Sequence, residues 1–163
     1  MFFLYQILII ILLILSPLII SIRILKKKED KIRFKEKFCF PSKKRAKGSL
    51  IWFHGSSVGE IISILPLVYE LEKNNSINQI LITSSTLSSA AIFNKFKFKK
   101  TVHQFFPIDS IFFSHKFLKY WRPTIAIFVE SEIWPSIFKT LNRKNIPLLL
   151  LNARITKKTF IKW

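Results

Sequence analysis

Five short apolar runs that alternate with longer helical patterns constrain the fold of this chain more than any other feature. The runs lie at 50–54, 79–85, 101–106, 125–130 and 147–152, and each is a candidate buried parallel strand. Between the runs, apolar residues recur at helical spacing, as in Val58, Ile61 and Leu65. Alternation of this kind predicts an α/β fold with a doubly wound, Rossmann-like parallel sheet. We expect one such domain over residues 49–163.

The first 22 residues contain no charged side chain. A helix of this length, at about 1.5 Å per residue, is long enough to cross the hydrocarbon core of a bilayer. A signal peptide is the alternative, but the run has no basic residue before it and no small-residue cleavage site after it. Eight Lys and Arg residues follow between positions 23 and 37, and such flanks stay on the cytoplasmic side. We therefore expect residues 1–25 to be a single-pass membrane anchor, with the domain in the cytoplasm.

Residues 26–48 mix basic side chains with Phe34, Phe38 and Phe40 and end at a Gly-containing basic run. This composition predicts a juxtamembrane segment followed by a linker. An amphipathic segment of this kind would bind anionic lipid head groups. A solvated linker is the alternative.

The formal net charge of +18 requires an anionic partner, and three classes fit: nucleic acid, an anionic membrane surface or a phosphorylated substrate. Part of the charge also reflects a general bias toward Lys in this chain.

Cys39 is the only cysteine, which excludes an intrachain disulfide and a multi-cysteine metal site. The three histidines have no metal-ligand spacing, so we expect no metal.

Ligands in open α/β sheets bind outside the carboxyl ends of the strands, so the polar residues at those ends are the candidate site. After the first strand comes HGSSVGE, in which Gly55 and Gly59 allow close backbone approach, the helix N-terminus offers free N–H groups to an anionic ligand and Glu60 opens the helix. After the fourth strand come Glu130 and Glu132, a pair of carboxylates that is costly to bury unless it is paired or used. Three of the nine acidic residues thus fall at these junctions.

Simpler explanations exist for each of these residues. A carboxylate in the first helical turn interacts favourably with the helix macrodipole, which would explain Glu60 without catalysis. The hydroxyl-rich turn at 83–86 fits ordinary capping of the next helix. Arg154, after the fifth strand, can pair with one of the glutamates or hold a phosphate.

Several blocks together resemble a known family. HGSSVGE with LPLV, then LITSST, HQFFPID, FVESEIWP and PLLLLNARIT, are similar in order to the N-terminal half of the Kdo (3-deoxy-D-manno-octulosonic acid) transferases. The resemblance implies half of a two-domain GT-B glycosyltransferase of the inner membrane, without metal or other cofactor. It also implies that Kdo moves from the donor substrate CMP-Kdo to a lipid A precursor, lipid IVA, rather than any action on nucleic acid.

The same resemblance assigns roles to single residues. It implies that Glu60 is the proton acceptor and Glu130 a transition-state stabiliser, and it assigns no role to Glu132. From their positions at these strand ends, we also expect Ser57, Gly59 and Arg154 to bind substrate. The family continues into a second domain that holds most of the donor site, whereas this sequence ends at Trp163. We therefore expect a separate C-terminal donor domain to complete the enzyme. The alternatives are a membrane-anchored basic module that binds nucleic acid or lipid without catalysis, and a related transferase with another acceptor.

Overall fold

The computed structural model describes residues 2–130 and 132–153. Arg154 therefore lies outside the described residues. Ten regular elements and one short 3₁₀ helix follow one another along the chain: α1 (Phe2–Leu25), the 3₁₀ helix (Arg33–Phe38), β1 (Leu50–His54), α2 (Val58–Lys73), β2 (Gln79–Ser84), α3 (Leu87–Phe93), β3 (Thr101–Phe105), α4 (Ile111–Trp121), β4 (Ile125–Val129), α5 (Pro135–Arg143) and β5 (Leu148–Leu151).

The five strands form one sheet in the order β3-β2-β1-β4-β5, and every pairing is parallel. The predicted α/β class with a parallel sheet is thus confirmed. The chain order reverses between β1 and β4, so the loops after these two adjacent strands lead to opposite faces. Such a switch point leaves a crevice at the carboxyl edge of the sheet.

Both faces of the sheet are buried by helices because its strands are apolar on both sides. On one face, Trp52 and Phe128 pack with Phe117 of α4 and Ile137 of α5. On the other face, the core is built mainly from α2, α3 and the opposite side of the strands: Phe53, Ile61, Ile64, Val68, Ile82, Phe93 and Ile127. This arrangement makes the sheet doubly wound.

Short polar side chains cap the helices at the carboxyl edge. Ser57, Thr86 and Ser110 each accept a hydrogen bond from the backbone N–H three residues later, at the starts of α2, α3 and α4. Capping therefore accounts for Thr86 in the hydroxyl-rich turn. The α5 helix has Pro135 in its first turn, and the Asp109 carboxylate accepts from the backbone N–H groups of Ser136 and Ile137.

The fifth strand is less buried than its sequence suggests. Leu148, Leu149 and Leu150 are 37%, 47% and 40% exposed. The physical reason is position, because β5 pairs with β4 at the end of the sheet order and its outer edge has no strand beside it in the described part of the chain.

The 3₁₀ helix packs on β3 through a buried charged group. Glu36 is 1% exposed, and Arg33 donates two hydrogen bonds to its carboxylate at 2.9 and 3.0 Å. The Phe105 backbone N–H also donates to Glu36, at 2.7 Å, and Arg33 reaches Nδ1 of His103 at 2.9 Å. Residues 33–38 therefore belong to the globular unit.

Helix α1 is long and apolar enough to cross a membrane, judged by length and composition. One face of it is turned toward the domain along its whole length: Phe2, Tyr5, Gln6, Ile9, Leu13, Ser16, Ile20, Arg23 and Ile24 are buried or half-buried. Tyr5 donates to Asp109 at 2.7 Å, and Gln6 donates to the Ser136 hydroxyl at 2.8 Å. The opposite face is apolar and exposed.

Candidate active site

The loop after β1 holds Glu60 close to the end of its strand. Gly55 makes this tight path possible, because a Cβ at that position would lie 3.0 Å from the Cβ of Glu60. The Gly55 backbone N–H continues the sheet by donating to the Thr83 carbonyl at 3.1 Å. Any side chain at position 55 would push against Glu60, so the glycine fixes the position of the carboxylate.

Glu60 is only 7% exposed, and its carboxylate folds back over the start of α2. Its Oε2 accepts a 2.9 Å hydrogen bond from the Ser56 backbone N–H, while its own N–H donates to the Ser57 hydroxyl at 3.2 Å. This geometry is that of a capping residue, as the simpler explanation expects. Oε1 of Glu60 has no hydrogen-bond partner among residues 2–130 and 132–153. One oxygen is thus held, and the other is unpartnered within those ranges.

Ser57 and Gly59, predicted to bind substrate, flank Glu60 on the exposed side of the loop. The Ser57 hydroxyl is occupied as the cap of α2. A Cβ at Gly59 would meet nothing closer than the Ser57 hydroxyl oxygen at 4.0 Å. The space beside Gly59 is therefore open, and packing does not explain the glycine. Substrate binding by Ser57 and Gly59 stays a prediction.

Glu130 follows β4, which pairs with β1, so Glu60 and Glu130 come from adjacent strand ends at the switch point. Glu130 is exposed, and its backbone N–H donates to the Leu151 carbonyl at 2.7 Å. Its φ of 58° lies in the left-handed region, which costs a non-glycine residue about 1 kcal/mol. Strained backbone of this kind concentrates at functional sites. Within the described chain, no hydrogen bond joins the carboxylates of Glu60 and Glu130.

Glu132 is the residue that sequence reasoning left without a role, and it is the best connected of the three glutamates. Its Oε2 accepts hydrogen bonds from the Ser56 hydroxyl and the Trp134 indole N–H, both at 2.8 Å. Nε2 of His54 lies 3.6 Å from the same oxygen. Ser56 thereby joins Glu132, through its hydroxyl, to Glu60, through its backbone N–H. The signal in the sequence was the second carboxylate of ESE.

All polar groups of Ser56 are used in this network. Besides the two glutamates, its hydroxyl lies 3.2 Å from that of Ser85, and its carbonyl accepts from the Ser89 hydroxyl at 3.0 Å. Since the Ser56 proton goes to Glu132, Ser85 is the donor toward Ser56. The turn after β2 therefore helps to hold the loop after β1.

His54 is completely buried beside Glu132. Its Nδ1 lies 3.2 Å from the Thr83 carbonyl and 3.0 Å from the Thr83 hydroxyl, whose own proton is directed to the Phe53 carbonyl. The other ring nitrogen, Nε2, faces Oε2 of Glu132. Burial lowers the pKa of His54 despite the nearby carboxylate. The adjacent His54 imidazole, together with the Ser56 and Trp134 donors, lowers the pKa of Glu132, so Glu132 is ionised at neutral pH.

A family model described as 3-deoxy-D-manno-octulosonic-acid transferase (kdotransferase) matches residues 32–163. The chain belongs to this family. It is 42% identical over 162 residues to the 3-deoxy-D-manno-octulosonic acid transferase of Rickettsia bellii. The aligned residues make up 98% of this chain and 38% of the relative. The counterpart from Rickettsia felis is 47% identical over 117 residues, which is 71% of this chain and 25% of the relative.

The similarity extends beyond bacteria. A protein from Arabidopsis thaliana named a probable mitochondrial 3-deoxy-D-manno-octulosonic acid transferase is 37% identical over 151 residues, 91% of this chain and 34% of the relative. The chain therefore spans little more than a third of the length of the relatives it matches most fully. Both site loops and the 3₁₀ helix of this Kdo transferase family member lie inside the matched residues 32–163. The predicted membership is confirmed.

Metal binding has no candidate site in the described part of this family member. Among residues 2–130 and 132–153, no three His, Cys, Asp or Glu side chains lie close enough together to hold an ion. Chemistry without a metal or other cofactor stays a prediction.

Proposed function

We propose that this chain is the acceptor-binding half of a Kdo transferase, which moves Kdo from CMP-Kdo to a hydroxyl of a lipid A precursor such as lipid IVA. The observation that carries this proposal is the Glu60 carboxylate, held at the sheet switch point by the Ser56 N–H with one oxygen unpartnered among the described residues. The confirmed family supports the same reaction class.

Glu60 acts as the general base in this proposal. A sugar hydroxyl is a poor nucleophile until a carboxylate within hydrogen-bond reach removes its proton. The hydroxyl proton passes to Oε1 of Glu60 while the hydroxyl oxygen bonds to the anomeric carbon of Kdo. The bond from that carbon to the phosphate oxygen breaks, and CMP leaves with the electron pair.

Glu130 stabilises the transition state from the adjacent strand end. Positive charge develops on the sugar ring as the bond to CMP breaks, and an exposed carboxylate at the crevice is placed to oppose it. In this proposal, Ser57, Gly59 and Arg154 bind substrate groups.

We propose that a C-terminal donor domain, of the kind that completes a GT-B fold, binds CMP-Kdo across the crevice. Support comes from the relatives, of which this chain covers 38% or less.

Attachment to the inner membrane, with the domain on the cytoplasmic side, is also part of the proposal. The exposed face of α1 is entirely apolar between Phe3 and Leu15 and suits contact with lipid. The basic residues that follow α1 suit an anionic membrane surface and an anionic acceptor. Because α1 packs against the domain along one face, both ends of this helix lie beside the domain. A helix that lies along the membrane surface is therefore an alternative to the single membrane crossing that the length of α1 predicts.

The test is a chimera in which residues 1–163 are continued by the C-terminal remainder of the Rickettsia bellii relative. Incubation with CMP-Kdo and lipid IVA, followed by mass spectrometry of the lipid, should show the added mass of Kdo. Glu60→Gln should reduce the rate by about 10²- to 10⁴-fold, the usual contribution of a general base. The matched control is Glu70→Gln, which removes an exposed carboxylate from the same helix.

Two results would contradict the proposal. One is a folded chimera that binds the lipid and transfers no Kdo. The other is full turnover by the Glu60→Gln chimera, which would leave Glu60 as a helix cap and favour a basic membrane-bound module without catalysis.

A further inference from the structure

A cavity of about 290 Å³ lies between α1 and the carboxyl edge of the sheet, near the lower end of the range for ligand pockets, about 300–1,000 Å³. Most of its lining is apolar. The lining residues are Ile9, Leu12, Lys37, Ser85, Phe106, Pro107, Ile108, Asp109 and Trp134.

The polar residues of the lining are already engaged. Asp109 accepts from Tyr5 and from the start of α5, and Lys37 pairs with Glu29 at 2.6 Å. Ser85 is directed toward Ser56. The remaining surface offers hydrocarbon and aromatic contacts, so a ligand that fills this cavity is an apolar chain rather than a sugar or a nucleotide.

The cavity shares two residues with the glutamate network. Trp134 lines it and donates to Glu132, while its ring lies 5.0 Å from the ring of Phe106. Ser85 lines it and contacts Ser56, whose N–H holds Glu60. An amphiphile with its apolar chain in the cavity would thus extend its polar end toward Ser56 and Glu60.

One wall of the cavity is α1 itself. Ile9 and Leu12 line the cavity, and Leu12 is also 45% exposed, next to Ile11 at 49% and Leu8 at 60%. The apolar exposed face of α1 is therefore continuous with the cavity, and a lipid chain can pass between them without crossing polar surface.

We propose that this cavity binds a fatty acyl chain of the lipid acceptor and so positions the acceptor hydroxyl at Glu60. The site rests on the proposed function, since it assigns the acyl subsite of that reaction. It also predicts that α1 is part of the substrate site and not only a membrane attachment.

The experiment uses the chain itself in nanodiscs that contain a trace of dodecanoic acid with a terminal photoreactive diazirine. After illumination, peptide mass spectrometry should find the label at 106–109 and at Trp134. Unlabelled lipid IVA should remove this label, whereas the same molar amount of phosphatidylglycerol should leave it. Equal competition by phosphatidylglycerol would overturn the assignment to the acceptor.

Two pairs of variants test the location. Ile108→Trp fills the cavity and should lose most of the label at Trp134, while Phe112→Trp, at a residue that is 70% exposed, should retain it. Leu12→Phe should lose the label and Leu8→Phe should keep it, which covers the case in which Ile108→Trp fails to fold. Circular dichroism checks folding. Label that stays at Trp134 in both filled variants would overturn the proposal.

The outcome is separable from the proposed function. If the chimera carrying Ile108→Trp and Leu12→Phe still transfers Kdo at the normal rate, the acyl subsite is rejected and the proposed reaction stands. If lipid IVA removes the label from a chimera that transfers no Kdo, the acyl subsite stands and the proposed reaction is rejected.

Discussion

The hydroxyl oxygen of Ser56 lies 2.8 Å from Oε2 of Glu132, although the two residues are 76 positions apart in the chain. The same serine donates its backbone N–H to Glu60. One residue thus fixes two carboxylates from two different loops. The position of the general base in the proposed reaction depends on a glutamate that does not touch it.

Replacing Glu132 tests this dependence. Glu132→Ala in the chimera should lower the Kdo transfer rate about 10- to 100-fold, because a small displacement of a reacting group costs this much. Glu132→Gln keeps an oxygen acceptor for Ser56 and should recover part of the rate. Lipid IVA binding should change little in either variant, and an unchanged rate in Glu132→Ala would exclude the positioning role.

His103 should make the domain sensitive to acid. Burial and the Arg33 and Lys43 charges lower the pKa of His103 to about 3, below its unfolded value of about 6.5. As pH falls from 6.5 toward 3, the unfolded state binds a proton that the folded state does not. His103 should therefore lower the free energy of unfolding by about 1 kcal/mol per pH unit across that window.

Thermal unfolding followed by circular dichroism between pH 7 and pH 4 measures this effect. His103→Gln should flatten the dependence of Tm on pH, whereas His115→Gln, at an exposed histidine, should leave it as in the parent chain. Since burial also lowers the pKa of His54, some acid sensitivity should remain. Parallel curves for the parent and His103→Gln chains would contradict the prediction.

Asp109 should be needed for the start of α5. Its two oxygens accept from the Ser136 and Ile137 N–H groups, and removal of a capping side chain costs about 0.5–2 kcal/mol. Asp109→Ala should therefore lower Tm by several degrees. Tyr5→Phe removes only the contact from α1 and should lower Tm less. Equal Tm values for Asp109→Ala and the parent chain would contradict the cap.

The docked face of α1 predicts that both ends of the helix remain on the cytoplasmic side. A single cysteine added before Met1 and another at Lys28, each labelled with a membrane-impermeant maleimide in vesicles of either orientation, test this. Burial raises the pKa of Cys39 to about 12, so the native thiol should stay unlabelled. The docked arrangement gives label at both positions only in inside-out vesicles, whereas a single crossing exposes the cysteine before Met1 on the opposite side.

The strands were predictable because they are buried on both faces. The run at 50–54 coincides with β1, and the run at 125–130 exceeds β4 by one residue. In an α/β chain, short apolar runs of this length that are bounded by turn residues usually form buried strands. The α5 helix begins at Pro135, since proline favours the first turn of a helix.

The contacts of the site were not predictable in the same way. That Glu60 and Glu132 meet through Ser56 depends on strand order, which brings β4 beside β1 rather than beside β3. The docking of α1 depends on Tyr5 and Gln6, two polar residues in a run that composition describes only as apolar. Local sequence specifies elements, whereas these contacts arise from how distant loops converge.

Asp109 connects α1 to the carboxyl edge of the sheet. One of its oxygens accepts from both the Tyr5 hydroxyl and the Ser136 N–H, and Ser136 is two residues from Trp134, which donates to Glu132. A displacement of α1 would therefore move Asp109 and, through the start of α5, the loop that holds Glu132. The seating of the first helix and the shape of the crevice are thus linked by a single carboxylate.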